Sequence, residues 1–257
     1  FTPSGNFPGS GEQGLTGLVV DAASGDVFAS LLADSTSNPG SHEPRIDRFT
    51  SNDGGLTAAT RTTILDMPGE FQGQSHQISN LSIGPDGFLY AHMGDGFDAS
   101  TAQDLDSFRG KILRLALDGS AATDNPYYAA GNGITARDYV FTSGLRNPFG
   151  GAWRDADGAH YKVGNGPSRD RLARQNAGWD YGWTGANSDM FTHAIHVWDP
   201  AVAPVNIVFI QPSAFGGSGF PVEKLDHAFI TESGPTYGTG IQTQGKRIRE
   251  YVIDGAG

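Results

Sequence analysis

Two short phrases recur along this chain, and they recur together. The first runs Gly17-Leu18-Val19-Val20-Asp21-Ala22-Ala23-Ser24-Gly25-Asp26-Val27-Phe28-Ala29. It returns as Leu81-Ser82-Ile83-Gly84-Pro85-Asp86-Gly87-Phe88-Leu89-Tyr90-Ala91, and again as Gly151-Ala152-Trp153-Arg154-Asp155-Ala156-Asp157-Gly158-Ala159-His160-Tyr161. Each copy reads as an apolar strand, an Asp/Gly turn and a second apolar strand. The second phrase is Arg45-Ile46-Asp47-Arg48-Phe49, then Lys111-Ile112-Leu113-Arg114-Leu115, then Arg247-Ile248-Arg249-Glu250-Tyr251. Arg48 and Arg114 lie 66 residues apart, and Arg114 and Arg249 lie 135 apart, about two further units. The turn glycines Gly25, Gly87 and Gly158 are spaced by 62 and 71. Both phrases therefore count one module of roughly 60–70 residues, long enough for a four-stranded blade with expanded loops. The expected fold is all-β: a β-propeller of four-stranded antiparallel blades, with about four blades in residues 1–257. Those residues are expected to form a single propeller domain that lacks the first and last blades of a ring.

Composition agrees. The chain has 37 glycines, 14 prolines and no cysteine in 257 residues, and its Asp-Gly pairs include those at 53–54, 86–87, 118–119, 157–158 and 254–255. Glycine supplies the positive φ that tight hairpins need. Helical periodicity is scarce; the one segment that reads as a helix is Ser168 to Ala177, with Ser168 as N-cap and Gly178 as stop. A net charge of −11 makes duplex nucleic acid and anionic membrane poor partners. No apolar run is long enough to span a bilayer. The chain starts at Phe1 rather than Met, which reads as a processed product. A periplasmic or extracellular location is expected, with any signal segment already removed.

Several common catalytic signatures are absent: there is no Gly-x-Ser-x-Gly, no phosphate-binding Gly-x-x-x-x-Gly-Lys and no His-Glu-x-x-His. His193-x-x-His196 lies in a stretch without helical period and reads as an exposed loop pair. Asn80-Leu81-Ser82 matches a glycosylation triplet but opens an apolar strand. Two places stand out. His76, in Gln74-Ser75-His76-Gln77, sits at the mouth of a repeat's strand; it is either a partly exposed loop histidine or a general base. Arg146-Asn147-Pro148, inside Gly144–Gly150, also precedes a repeat's strand; it either ties down a turn or offers a donor fork to a carboxylate or carbonyl oxygen. Equivalent positions in a propeller lie on one face around the axis. The repeat therefore brings His76 and Arg146 together although 70 residues separate them.

These residues, in this order, resemble the soluble quinoprotein sugar dehydrogenases, the glucose/sorbosone dehydrogenase family. The matching stretches are Gly11-Glu12-Gln13-Gly14-Leu15-Thr16-Gly17-Leu18, then His76-Gln77 with Ile83-Gly84-Pro85-Asp86-Gly87, and Lys111–Leu115 through Asp118-Gly119-Ser120 to Asp124-Asn125-Pro126. They continue with Gly144-Leu145-Arg146-Asn147-Pro148-Phe149-Gly150, Gly164-Asn165-Gly166-Pro167 and Asp180-Tyr181-Gly182-Trp183. The resemblance implies a six-bladed propeller carrying pyrroloquinoline quinone (PQQ) and Ca²⁺, a sugar substrate and an external electron acceptor. By the same resemblance His76 takes the proton from the anomeric hydroxyl as hydride passes to the quinone, and Arg146 steadies the charge on the quinone oxygen. Glu12, Gln77 and Asn147 fall at cofactor-binding positions, and the carbonyls of Gly166 and Pro167 at Ca²⁺ ligands. PQQ carries three carboxylates, so an acidic chain needs a local cationic cluster; Lys246 is the candidate to join Arg146. Ile78-Ser79-Asn80 stands where the family often has a pair of small residues, and bulk there is expected to crowd the sugar or the quinone. Two other readings are compatible with the scaffold: a non-catalytic binding propeller, and a Ca²⁺-dependent lactonase-type hydrolase, for which the sequence offers Glu12 and Asp95 but no ring of carboxylates.

Overall fold

Both repeated phrases become strands, at the same place in each unit. The computed structural model describes residues 12, 14–212, 219–234 and 243–254. The first sheet contains β1 (Leu15–Val20), β2 (Val27–Asp34), β3 (His42–Thr50) and β4 (Thr60–Asp66). The second contains β5 (Ile78–Ile83), β6 (Leu89–Met93), β7 (Lys111–Leu115) and β8 (Val140–Thr142). The third contains β9 (Pro148–Arg154), β10 (Ala159–Asn165), β11 (Asp170–Gln175) and β12 (His196–Trp198). The fourth contains β13 (Pro204–Phe209), β14 (Ala228–Glu232) and β15 (Arg247–Tyr251) among the described residues. Every neighbouring pair is antiparallel and consecutive in sequence. The first strands pack in series, β1 on β5, β5 on β9 and β9 on β13, so the sheets follow one another around an axis as propeller blades. No helix of the described residues is long and apolar enough to cross a membrane.

The first phrase forms the inner hairpin of a blade and the second phrase its third strand. A shared period follows, because side chains link them. Arg48 on β3 donates to Asp26 beside the first turn (2.7 Å), and Arg114 on β7 donates to Asp86 in the second (2.9 Å). The turn carboxylates also accept from a tyrosine four residues on: Tyr90 to Asp86 at 2.8 Å, Tyr161 to Asp157 at 2.6 Å. Gly87 and Gly158 turn these hairpins at φ +79° and +62°, a region open to glycine and strained for other residues.

The core is laid down in slabs between blades. Phe28, Leu32, Ile46, Leu81, Leu89 and Leu113 fill the space between the first two sheets. Tyr90, Ile112, Leu145 and Ala173 fill the next, and Val163, Leu172, Ile207 and Ile230 the one after.

This layering explains why Ser168–Ala177 is not the expected helix. Residues Asp170–Gln175 form β11, paired on both sides with β10 and β12. Leu172 and Ala173 point to opposite faces of the sheet, and each face meets a different slab. Strand alternation serves two cores at once where a helix would serve one. Arg171 is 1% exposed and donates to the carbonyls of Tyr181 (2.9 Å), Asp189 (3.2 Å) and Thr192 (2.8 Å).

One buried pair contributes to the pH response. His92 on β6 and His160 on β10 meet between the second and third sheets, ring centroids 5.1 Å apart. They fit because residue 151 is glycine: a Cβ there would lie 2.6 Å from His92 Cε1 and 2.8 Å from His160 Nε2. Desolvation lowers the pKa of His92 and holds that of His160 at about 3. Both are therefore neutral when folded and take up protons near pH 6.5 when unfolded. Their contribution is fully present above pH 6.5 and is lost as the pH falls from there toward 3. Each is expected to steepen the acid loss of stability by up to about 1.4 kcal/mol per pH unit. Urea midpoints measured from pH 7.5 to 4.5 should fall accordingly, and His160→Phe should flatten the fall; an unchanged slope in that variant contradicts the assignment.

Candidate active site

At one end of the blades the loops enclose a cavity of about 680 Å³. His76 enters it from the turn before β5, in a left-handed conformation (φ +60°). That backbone is pinned on both sides. The His76 amide donates to Glu12 Oε2 at 2.7 Å, and its carbonyl accepts from the Gly96 amide at 3.0 Å. Residue 94 must be glycine, since a Cβ there would lie 2.3 Å from the His76 carbonyl.

The imidazole is held by Asp95, the second residue beyond β6. His76 Nδ1 and Asp95 Oδ1 lie 2.6 Å apart, with both side chains almost wholly buried. Asp95 Oδ2 accepts from Trp183 Nε1 at 2.8 Å, Oδ1 also accepts from the Phe97 amide at 3.0 Å, and the Asp95 amide donates to the Arg146 carbonyl at 2.7 Å. An ionised carboxylate is acceptor-only, so it fixes the proton of His76 on Nδ1 and leaves Nε2 with a lone pair. By sequence Asp95 reads only as a carboxylate ligand. The signal available was Gly94-Asp95-Gly96 directly after a strand.

Arg146 and Asn147 arrive from the turn before β9. Arg146 donates to the Asn165 carbonyl at 2.9 Å, and its guanidinium stands 5.7 Å from the Trp183 ring. Asn147 is 3% exposed; its amide nitrogen lies 3.4 Å from both Glu12 carboxylate oxygens, and its Oδ1 has no partner among the described residues. Gly166 and Pro167 follow β10. Asp170 holds their loop by accepting from the amides of Gly166 (3.0 Å), Val202 (2.7 Å) and Ala203 (2.7 Å); desolvation pushes its carboxyl above the usual range. A Cβ at residue 166 would lie 2.0 Å from the Arg169 carbonyl, so the loop requires glycine. Lys246 reaches the cavity from the turn before β15, also left-handed at φ +56°.

Thus Glu12, His76, Arg146, Asn147, Gly166, Pro167 and Lys246 all line one cavity. Gln77 does not. Its side chain is buried and its amide donates back to the Gly73 carbonyl, while its own carbonyl accepts from Gly94. The expected crowding by Ile78-Ser79-Asn80 is also absent. Ile78 lies in the core, Ser79 donates to the Pro148 carbonyl (2.9 Å) and Asn80 to the Gly151 carbonyl (3.3 Å), and none of the three faces the cavity. His193 stacks on Trp179 at 4.2 Å while His196 belongs to β12, so the two do not form a site. Among the described residues no three His, Cys, Asp or Glu side chains cluster to hold a metal.

Known sugar dehydrogenases are similar to this chain. The curated relatives include aldose sugar dehydrogenase YliI of Escherichia coli (strain K12), 32% identical over 48% of this chain and 32% of that protein. Quinoprotein glucose dehydrogenase B of Acinetobacter calcoaceticus is 32% identical over 54% of this chain and 31% of that protein. The matched stretches thus make up about a third of these relatives' lengths. The PQQ-bound form of an aldose sugar dehydrogenase from Streptomyces coelicolor shares the fold, with a TM-score of 0.67 at 24% identity, over 94% of this chain and 68% of that one. The model of the Glucose / Sorbosone dehydrogenase family matches residues 6–221. With that match across most of its blades, the chain belongs to the glucose/sorbosone dehydrogenase family.

Proposed function

We propose that this chain oxidises the anomeric carbon of aldose sugars to lactones at a PQQ and Ca²⁺ site in the cavity. The observation that carries this reading is the His76–Asp95 pair, a buried base with a fixed tautomer, facing a cavity that also holds Arg146 and Lys246. The residues present fit the cofactor. The cavity falls within the size range of small-ligand sites, roughly 300–1,000 Å³; among its described lining residues Arg146 and Lys246 suit a ligand with carboxylates, beside the carboxyls of Glu12 and Asp170. Asn147 Oδ1 and Asn165 Oδ1 are buried without partners among the described residues, as expected of groups that meet a ligand. No hydrogen bond among the described residues engages the carbonyls of Gly166 and Pro167. Carbonyl oxygens suit Ca²⁺.

When bound, PQQ supplies the acceptor for the hydride that leaves the sugar. The chain's residues do the rest. His76 Nε2 takes the proton of the anomeric hydroxyl. Asp95 keeps that nitrogen free of its own proton and steadies the imidazolium that results. Arg146, already oriented by the Asn165 carbonyl and Trp183, would offer fixed positive charge to the cofactor. Lys246 and Arg146 offset the cofactor's carboxylates, which the acidic surface would otherwise repel. A lactonase-type site, which needs several carboxylates around a metal, is less well supported because no such cluster occurs among the described residues.

Titration of the chain with micromolar PQQ in millimolar Ca²⁺ is expected to give bound-quinone absorbance and glucose-dependent dye reduction, both lost on chelating the Ca²⁺. Absence of bound quinone under those conditions contradicts the reading.

A further inference from the structure

Phe97 is out of place as a loop residue. It is 61% exposed, lines the cavity, and sits at φ +68°. An exposed phenylalanine alone is ordinary. A bulky residue held in the left-handed region is not, and such strain concentrates at functional sites. Glycine or asparagine would satisfy this loop, since Gly96 before it also has positive φ and Asp98 after it already caps a short helix, α1 (Ala99–Gln103). The strain holds an aromatic ring at one spot: its centroid is 4.0 Å from that of His76, with the planes tilted by 32°. One atom couples the two. Asp95 Oδ1 accepts from both His76 Nδ1 and the Phe97 amide, so the ring is registered to the base.

We propose that Phe97 is the platform on which a pyranose substrate stacks, which makes it a determinant of specificity for ring sugars; the inference rests on the sugar-oxidation reading of the cavity. A pyranose presents slightly positive C–H groups on its ring faces, and the negative face of an aromatic ring attracts them. His76 covers one face of the ring, so the sugar takes the other, exposed face, in the same cavity as the base. An open-chain polyol has no rigid C–H face and gains little from the same ring.

The test uses the PQQ-loaded chain and three variants. Phe97→Leu keeps an apolar side chain without the ring. Phe97→Gly relieves the left-handed strain, so a folding defect cannot explain its result. Phe97→Trp keeps an aromatic face. Leu and Gly are expected to raise the KM for glucose about 3- to 10-fold, the range of an aromatic contact, with kcat changed less than about twofold and the pH profile unmoved. Trp is expected to hold KM near wild type. A second readout needs no turnover: saturating the aromatic protons should transfer magnetisation to methyl β-D-glucoside, and Phe97→Leu should remove more than half of it. If the ring only shields His76 from water, kcat and the pH profile change while KM and the transfer do not, and the platform is overturned. Wild-type KM and transfer in both Leu and Gly, with normal PQQ uptake, overturn the platform and leave the oxidoreductase reading standing. If the wild-type chain takes up no PQQ and oxidises no sugar, that reading fails and the platform falls with it.

Discussion

Replacing His76 with asparagine is expected to lower sugar turnover about 100- to 10,000-fold, the usual contribution of a positioned general base, while PQQ affinity stays within a few-fold. Asparagine is the better test than alanine because it tolerates the left-handed backbone that His76 adopts. The backbone bonds to Glu12 and Gly96 use main-chain atoms and survive the change. A fall in kcat with intact quinone absorbance is the signature of a lost base. Loss of PQQ binding in step with activity would mean that His76 is a cofactor contact instead, and turnover within threefold of wild type would remove it from the chemistry.

Asp95→Asn is expected to cost turnover by about 100-fold or more, through His76 rather than through the substrate. Asp95 receives three donors, His76 and the Phe97 amide at one oxygen and Trp183 at the other. An amide has only one acceptor oxygen. If that oxygen stays on His76, the amide nitrogen faces the Trp183 N–H, donor against donor, and the buried clash costs about 1–3 kcal/mol of stability. If the amide flips, its nitrogen donates to His76 Nδ1, the ring proton moves to Nε2, and the base has nothing to accept with. The flipped nitrogen then meets the Phe97 N–H, again donor against donor, so both orientations should lower the urea midpoint, and the flipped one should also collapse kcat with normal PQQ binding. An Asp95→Asn chain with neither effect contradicts the assigned tautomer.

The blades were legible because their determinants are local and repeated. Gly-containing turns, alternating strands and the third-strand arginine recur from module to module, each phrase in three of the four, and the Arg48–Asp26 and Arg114–Asp86 pairs show why the two phrases keep step. The convergence of His76, Arg146, Gly166 and Lys246 on one cavity was legible for the same reason, since symmetry-equivalent loops share a face. What escaped depended on contacts that no local pattern encodes. Segment 168–177 reads as a helix by its Ser168 cap and Gly178 stop, yet its strand is set by slabs of core on both sides and by carbonyls from residues 181–192 that satisfy Arg171. Gln77 follows a site residue in sequence but folds back on Gly73. Asp95 lies 19 residues from His76 and reaches it only because β5 and β6 pair as a hairpin.

On the proposed reading one cavity holds the quinone against Arg146 with His76 beside it. A crystal of the chain soaked with PQQ and Ca²⁺ is expected to show quinone density in this cavity, with an oxygen of the cofactor at Arg146, a carboxylate near Lys246 and Ca²⁺ on the carbonyls of Gly166 and Pro167. An empty cavity at saturating PQQ, or quinone bound elsewhere on the blades, would contradict it.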